Sequence, residues 1–461
     1  MARLTSARLF IALTTLSVLT ASVGSQELDP NRYDPDGFLP SEWEGYSEVL
    51  DGVYSPLGEQ IYVREGAEIT PWMKSARLPS PDNAALLWYQ AFLSRPEPDG
   101  EMSRRIDDIL RGGEPDGHIR AYLGHCRQTI RLAEMAAQIP QCSWGFSHPD
   151  GSVSTMQILA ETRHLTFLLA VDARTLAFDG HYGAALARCL TTRGLARHVG
   201  DDTLLTFFHS MAIDAMARRV VQYTLDLMPP ETDTLRWLRG QMAAMEGVPE
   251  SLGRVLQMDF EFVLDSLQTD AELLQAIREQ LAEDAVNEQA REEAWNMTDE
   301  EIVARAREPY SPFLDQILQL LDSEMSYEQK YEEIERRGRE LVEQYGSDPA
   351  AGYAVNGCQA HRIDRSYGLL MHDRASYNAL KAAIEVYMVV AETGTLPETL
   401  PLYLPKDPFS GEPFAYEVID DGFILRCRAR DLYASKKLIR PGEPPEILED
   451  VIQQYEFKVR R

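Results

Sequence analysis

The segment from Met156 to Met228 decides the fold, and it begins MQILAETRHLTFLLAVDARTLAFDGHYGAALARCLTTRGLARHV. Apolar side chains recur along it at the three- and four-residue steps of one helix face, as in Leu165, Leu168 and Leu169. Asp172 is the one polar residue on this face. The period is helical, and the segment is predicted to form packed helices.

The same segment breaks at Asp179-Gly180-His181 and then resumes its helical period as far as Leu195. A helical period on both sides of a glycine-containing break is typical of a helical hairpin. A third helix is predicted from about Thr203 to Leu227, capped by Asp201-Asp202 and ended by Pro229-Pro230.

The turn of this hairpin, Ala177 to Leu186, resembles the turn of a tetratricopeptide-like hairpin. No second copy follows at the ~34-residue period of such repeats, so the sequence does not predict a regular array. The predicted fold class is mainly α, with irregular tetratricopeptide-like helical hairpins and a small C-terminal α+β module of a helix plus a β-hairpin.

The chain has 461 residues and a formal net charge of -28. Such acidity argues against a nucleic-acid partner, because phosphates require a basic surface. It also argues against binding to an anionic membrane surface. Two interpretations stay open, a well-solvated surface without a partner and a surface that attracts a basic partner.

The N-terminus has the pattern of a secretory signal peptide. Arg3 and Arg8 precede the apolar run Leu9 to Val23, which ends in small residues near Ser25. Residues 1–25 are therefore predicted to direct export to the periplasm, the cell envelope or the extracellular space. No stable membrane insertion is predicted after cleavage, and the alternative is an uncleaved anchor.

An oxidising compartment permits disulfides, and the five cysteines leave at least one thiol unpaired. Cys126 and Cys142 are the closest pair in sequence and form the candidate disulfide. The alternative is that all five are small buried apolar residues. No Cys-x-x-Cys pair occurs, and the sequence predicts neither a metal site nor a cofactor.

The predicted organisation has four parts: the signal peptide, a loop-rich arm over 26–81, a helical domain over 82–372, and a C-terminal module over 373–461. Within the helical domain, residues 270–348 hold 22 acidic and 8 basic side chains. Apolar residues persist there at helical spacing, as in Leu274, Ile277 and Leu281. This stretch is predicted to form exposed amphipathic helices, projecting from the body in one interpretation.

The C-terminal module combines a long helix, a Leu-Pro turn and the motif DPFSGEPFAY, Asp407 to Tyr416. Alternating residues then flank Asp420-Asp421-Gly422, which predicts a β-hairpin. The combination resembles the C-terminal domain of type II secretion pseudopilins and a group of exported bacterial helical proteins. The Asn83–Tyr89 helix and Cys142-Ser143-Trp144-Gly145 are similar to that group as well.

The resemblance has two departures. No prepilin-type leader and membrane helix precedes the module, so the chain is not predicted to be a pilin subunit. Where pseudopilins carry a calcium loop after the hairpin, this chain has Arg428 to Tyr433. The resemblance therefore implies a packing module without metal chemistry.

The chain has no Gly-x-Ser-x-Gly elbow, no His-Glu-x-x-His and no phosphate-binding glycine loop. The one candidate catalytic cluster is His361, Asp364, His372 and Asp373, because an imidazole beside a carboxylate can act as a base or a ligand. The alternative is that these residues pair and cap at a helix end.

The leading functional hypothesis is an exported non-catalytic helical interaction or scaffold protein of the cell envelope. Its protein partner, not identified by the sequence, would use a groove of the helical body or the acidic helices. The alternatives are an exported hydrolase with a site near His361–Asp373 and an accessory protein of a secretion apparatus.

Overall fold

The computed structural model describes residues 83–145, 151–200, 203–244, 252–401, 403–437, 446–447 and 451–460. The predicted signal peptide and the arm over 26–81 lie outside these residues. The described chain is mostly helical and ends in a small antiparallel sheet, which confirms the predicted fold class. The likeness to tetratricopeptide hairpins stays a prediction.

The helices follow one another along the chain with short connections. The first seven are α1 (Ala85–Ser94), α2 (Gly100–Leu110), α3 (Gly117–His125), α4 (Arg127–Ala137), α5 (Gly151–Phe178), α6 (Tyr182–Val199) and α7 (Leu204–Leu227). The next eight are α8 (Thr232–Ala244), α9 (Leu252–Thr269), α10 (Ala271–Glu283), α11 (Glu288–Asn296), α12 (Asp299–Asp322), α13 (Tyr327–Tyr345), α14 (Ala351–Gly357) and α15 (Ile363–Thr393). The C-terminal module adds α16 (Leu432–Ser435).

Helices α5, α6 and α7 lie where the sequence predicts them and pack against one another. The turn after α5 passes through Gly180 at a φ of 83°, which glycine adopts without a steric cost. Helix α7 is capped by the hydroxyl of Thr203, which accepts a hydrogen bond from the Thr206 N–H at 3.2 Å. The cap is therefore Thr203, not the predicted Asp201-Asp202 pair.

Buried apolar side chains form two clusters, one around the N-terminal helices and a larger one reaching the C-terminal sheet. Trp88 and Ile109 lie in the first cluster, and Tyr310 and Phe457 lie in the second. Helices α5, α6 and α7 contribute side chains to both clusters. The central helices predicted from sequence are thus the elements that join the two parts of the core.

The acidic stretch over 270–348 forms α10 to α13. Tyr310 on α12 and Tyr331 on α13 are fully buried, so these two helices are part of the core and do not project from it. Helix α11 differs, because Ala294 is its only buried residue. The interpretation of a projecting acidic region is therefore wrong for α12 and α13.

Helix α15 runs unbroken from Ile363 to Thr393, so the predicted domain boundary between residues 372 and 373 falls inside it. The structure places no break there, because buried residues continue on both sides, such as Tyr367 and Ala379. The break in helical structure lies upstream at Gln359, whose φ of 48° is left-handed.

Two small sheets complete the module. Strands β1 (Ala415–Ile419) and β2 (Gly422–Arg426) pair antiparallel around Asp420-Asp421, which confirms the predicted hairpin. β3 (Lys436–Lys437) and β4 (Glu446–Ile447) pair with each other. β5 (Gln454–Lys458) adds to β2 as the third strand of the main sheet. Among the described residues, no helix has the length and apolarity needed to cross a bilayer.

Candidate functional site

The four residues of the predicted His/Asp cluster lie on or beside α15 but have different surroundings. His361 belongs to a 3₁₀ turn over Ala360–Arg362, and its side chain is exposed. Asp364 is buried, while His372 and Asp373 contact separate neighbours. The structure therefore does not bring the four side chains together in one site.

Asp364 lies among Tyr331, Glu335 and Lys436. Burial, and then the charge of Glu335, raises the pKa of Asp364 to about 6. The Lys436 ammonium pairs with Glu335 at 2.9 Å and sits 4.6 Å from the centre of the Tyr331 ring. These contacts tie α13 and α15 to the C-terminal module, which is a packing role.

His372 joins α15 to the C-terminal module. Its Nδ1 lies 2.7 Å from Oδ2 of Asp431, a fully buried carboxylate. Asp431 also accepts a hydrogen bond from Gln453 at 3.0 Å and caps α16 through the Ala434 N–H. Burial disfavours the imidazolium, but the hydrogen bond to Asp431 and its charge outweigh burial and raise the pKa of His372.

Asp373 belongs to a buried charge network, here named the Arg218 network: Arg193, Asp214, Arg218 and Asp373. Arg218 donates to Asp373 and, at 2.6 Å, to Asp214. Arg193 donates to the other oxygen of Asp214 at 2.6 Å. Two arginines and two carboxylates balance in charge, and they connect α6, α7 and α15.

The Arg218 network is poorly suited to acid–base chemistry. Burial opposes ionisation of Asp214, but the charges of Arg193 and Arg218 outweigh it and lower the pKa of Asp214. An arginine does not release its proton in a protein. Because Asp214 stays ionised and the guanidinium groups stay charged, the network holds three helices in register.

The Asn83–Tyr89 segment and the Cys142–Gly145 segment pack together. Asn83 Oδ1 accepts from the Ser143 N–H at 2.8 Å, and the Asn83 side-chain amide donates to the Ser143 carbonyl at 2.9 Å. Trp88 Nε1 donates to Nδ1 of His198 at 3.0 Å, while Trp144 Nε1 donates to the His198 carbonyl. Burial lowers the pKa of His198 to about 4, so this histidine is a neutral packing partner.

A cleft of about 300 Å³ lies between α3, α4, α5 and α6. Its charged lining residues are Arg120, Arg127, Glu134, Asp172 and Arg188. Sequence reasoning noted Asp172 only as an exception on an apolar face and missed the cleft. The available signal was the pair of opposite charges on two helices of a predicted hairpin, Asp172 and Arg188.

The outer hairpin of α10 and α11 presents carboxylates beside exposed apolar side chains. Over residues 271–296 it has seven acidic residues and two arginines. The acidic residues are Glu272, Glu279, Glu283, Asp284, Glu288, Glu292 and Glu293. Val286, in the turn, is 92% exposed, and Trp295, on α11, is 48% exposed.

All five cysteines fall within the described residues and are free thiols in the structure. Cys126 is buried, and Cys142 is half-buried. Burial raises the pKa of Cys126, which disfavours its reactive thiolate form. The structure does not join the two sulfurs, and the Cys126–Cys142 disulfide stays a prediction.

In the part of the chain that the structure describes, no group of three or more His, Cys, Asp or Glu side chains is placed to hold a metal ion. Comparisons of the chain with protein families, with curated proteins and with solved structures found no match. The fold and its sites therefore define the class only as a mainly α-helical protein with a small C-terminal antiparallel sheet.

Proposed function

We propose that the chain is an exported, non-catalytic interaction protein of the cell envelope, which uses the α10–α11 hairpin to bind a basic partner protein. One observation carries this proposal: the hairpin combines an excess of carboxylates with two exposed apolar side chains, Val286 and Trp295. Carboxylates attract a basic surface at long range, and an exposed tryptophan supplies apolar contact area.

The ionic contacts within the hairpin leave most of its carboxylates available. Arg278 donates to Asp299 and to the Met297 carbonyl, outside the hairpin. Arg291 pairs with Glu288 at 3.4 Å. Glu292 and Glu293 are exposed, and on α11 they lie three and two residues before Trp295. A basic segment with an apolar anchor is the partner chemistry that fits this surface.

The test compares matched variants as bait in an envelope extract. The first variant replaces Glu288, Glu292 and Glu293 by Gln and Trp295 by Ala. The control makes the same types of change at exposed sites elsewhere, with Glu97, Glu114 and Glu398 replaced by Gln and Leu93 by Ala.

Quantitative cross-linking is expected to recover a basic protein with wild type and with the control, but not with the hairpin variant. That recovery should fall as salt is raised, because exposed charges are screened. Equal recovery by both variants would remove the hairpin from the proposal. Deleting 270–348 is not a suitable test, because Tyr310 and Tyr331 would leave the core.

A second candidate function, an exported hydrolase, is favoured by the His372–Asp431 contact. In Ser-His-Asp hydrolases a buried carboxylate at Nδ1 orients the imidazole in this way. The test is a screen of ester, amide and phosphoester substrates with wild type, His372→Ala and His361→Ala. Hydrolysis lost only in His372→Ala would support this candidate, and absence of hydrolysis in wild type would reject it.

A further inference from the structure

At the base of the cleft between α3, α4, α5 and α6, the charged side chains are already paired with one another. Arg188 donates from Nε to Asp172 at 2.6 Å, and its Nη1 lies 2.7 Å from Glu134. Only 12% of the Arg188 side chain and 14% of the Asp172 side chain are exposed. These two groups are fixed by each other and form the base of the cleft.

Two further arginines line the cleft, and their situations differ. Arg120 donates to both oxygens of Asp179, at 2.6 and 3.3 Å. Arg127 is exposed and, within the described residues, has no ion pair or hydrogen bond. Arg127 is thus the guanidinium of the cleft that is available to a ligand.

An acceptor for a ligand donor lies on the same helix. Glu134 keeps 44% of its side chain exposed although one of its oxygens contacts Arg188. Arg127 and Glu134 are seven residues apart on α4, which corresponds to roughly 10 Å along the helix axis. An extended peptide covers that distance in about three residues.

The charged residues of the cleft, counted together with Asp179, are three arginines and three carboxylates. The cleft is therefore neutral, although the chain as a whole has a net charge of -28. A ligand carboxylate therefore meets an unpaired guanidinium there, without the excess of negative charge found on the α10–α11 hairpin. Arginine often binds a carboxylate through two parallel charge-assisted hydrogen bonds, which are stronger than hydrogen bonds between neutral groups. A peptide terminus supplies both this carboxylate and backbone N–H donors.

We propose that this cleft binds the C-terminal residues of a partner polypeptide. Arg127 holds the terminal α-carboxylate, and Glu134 accepts an N–H about three residues before it. The small volume of about 300 Å³ suits a chain end of that length. This site is separate from the α10–α11 hairpin, so it does not depend on the basic partner proposed above.

The experiment uses random-sequence hexapeptides in two pools, one with free C-terminal carboxylates and one with C-terminal amides. Each pool is passed over immobilised full-length protein, and the retained peptides are quantified by mass spectrometry. The variants are Arg127→Gln and, as a matched control, Arg131→Gln, which removes the same charge one turn along α4, outside the cleft lining.

Wild type and Arg131→Gln are expected to retain the free-acid pool at least tenfold better than the amidated pool, and Arg127→Gln is expected to lose about tenfold in retention. Thermal unfolding of each variant verifies that it is folded. Equal retention of the two pools, no retention of either, or equal loss in both variants would overturn the proposal.

Discussion

At the scale of single residues, Arg218 shows how buried charges are tolerated in this protein. Only 5% of its side chain is exposed, and it contacts Asp214 and Asp373. Because each carboxylate is bonded to a guanidinium, the cost of removing these charges from water is largely offset. Taking away one partner leaves an uncompensated buried charge, which costs much more than the pair contributes.

Replacing Arg218 by Met is therefore expected to lower the free energy of unfolding by about 3 kcal/mol. The control is Arg236→Met, because Arg236 pairs with Asp233 at the surface, where 56% and 90% of the two side chains are exposed. That change should cost less than about 1 kcal/mol. Urea denaturation measures both, and equal costs would contradict the role given to the network.

His372 gives the protein a pH dependence of defined sign. Its pKa in the folded state is raised above the ordinary histidine value of 6.5, so the protonated form stabilises the fold. This contribution is fully present below the unfolded-state pKa and is lost as pH rises through the higher folded-state pKa.

The expected result is that the stability advantage of wild type over His372→Gln is largest below pH 6.5, the ordinary histidine pKa, and shrinks as pH rises above it. Urea denaturation at a series of pH values measures this difference. Groups with lowered pKa values, such as His198 and His209, are present in both proteins and cancel in the comparison. A difference that grows with pH would show that the neutral imidazole is the stabilising form.

At the scale of secondary-structure elements, the long helices and the β1–β2 hairpin could be predicted from the sequence. The break between α14 and α15 and the pairing of β2 with β5 could not. The helical spacing of apolar residues predicted α5 to α7, and the Asp-Gly pair predicted the turn between β1 and β2. The left-handed conformation of Gln359 has no local signal in the sequence, so the break between α14 and α15 could not be predicted. β5 was missed although Tyr455 and Phe457 alternate with polar residues, because strand pairing over such a distance is not encoded locally.

The pairing of β2 with β5 depends on Gly422. A Cβ at this position would lie 1.8 Å from the Phe457 carbonyl oxygen, so the strands would have to separate. Gly422→Ala is expected to lower the free energy of unfolding by about 1–3 kcal/mol. Gly240→Ala on α8 is the control, because its Cβ meets nothing within 4 Å.

The control should be neutral or stabilising by up to about 1 kcal/mol, since alanine favours a helix more than glycine does. Thermal or urea unfolding provides the measurement for both variants. A Gly422→Ala protein as stable as wild type would mean that the main sheet accommodates a side chain there.

At the scale of the whole molecule, the net charge of -28 is the property most visible in the sequence, but its distribution needed the fold. The acidic stretch contributes core residues as well as surface, and the neutral cleft is formed by four helices. The His361–Asp373 cluster could not be resolved from sequence, because neighbours such as Asp431 and Arg218 come from distant segments.

Self-repulsion of this charge should make stability depend on salt. Raising NaCl from about 0.01 M to about 0.1 M shortens the Debye length from about 30 Å to about 10 Å, so the Tm is expected to rise. The hairpin variant with Gln at Glu288, Glu292 and Glu293 should show a smaller rise. Calorimetric scans at fixed pH test this, and a Tm that falls with salt would show that attractive ion pairs dominate.

The position of β5 has a consequence for how the protein is made. Residues 454–458 follow every other described element, yet Gln222 donates to the Glu456 carbonyl and Asp226 accepts from the Lys458 N–H. A ribosome delivers a chain from its N-terminus. The side of α7 facing β5 is therefore covered only after residues 454–458 have been made. A product that stops before them would leave Phe423 and Tyr387, which pack on the Phe457 ring, open to proteases.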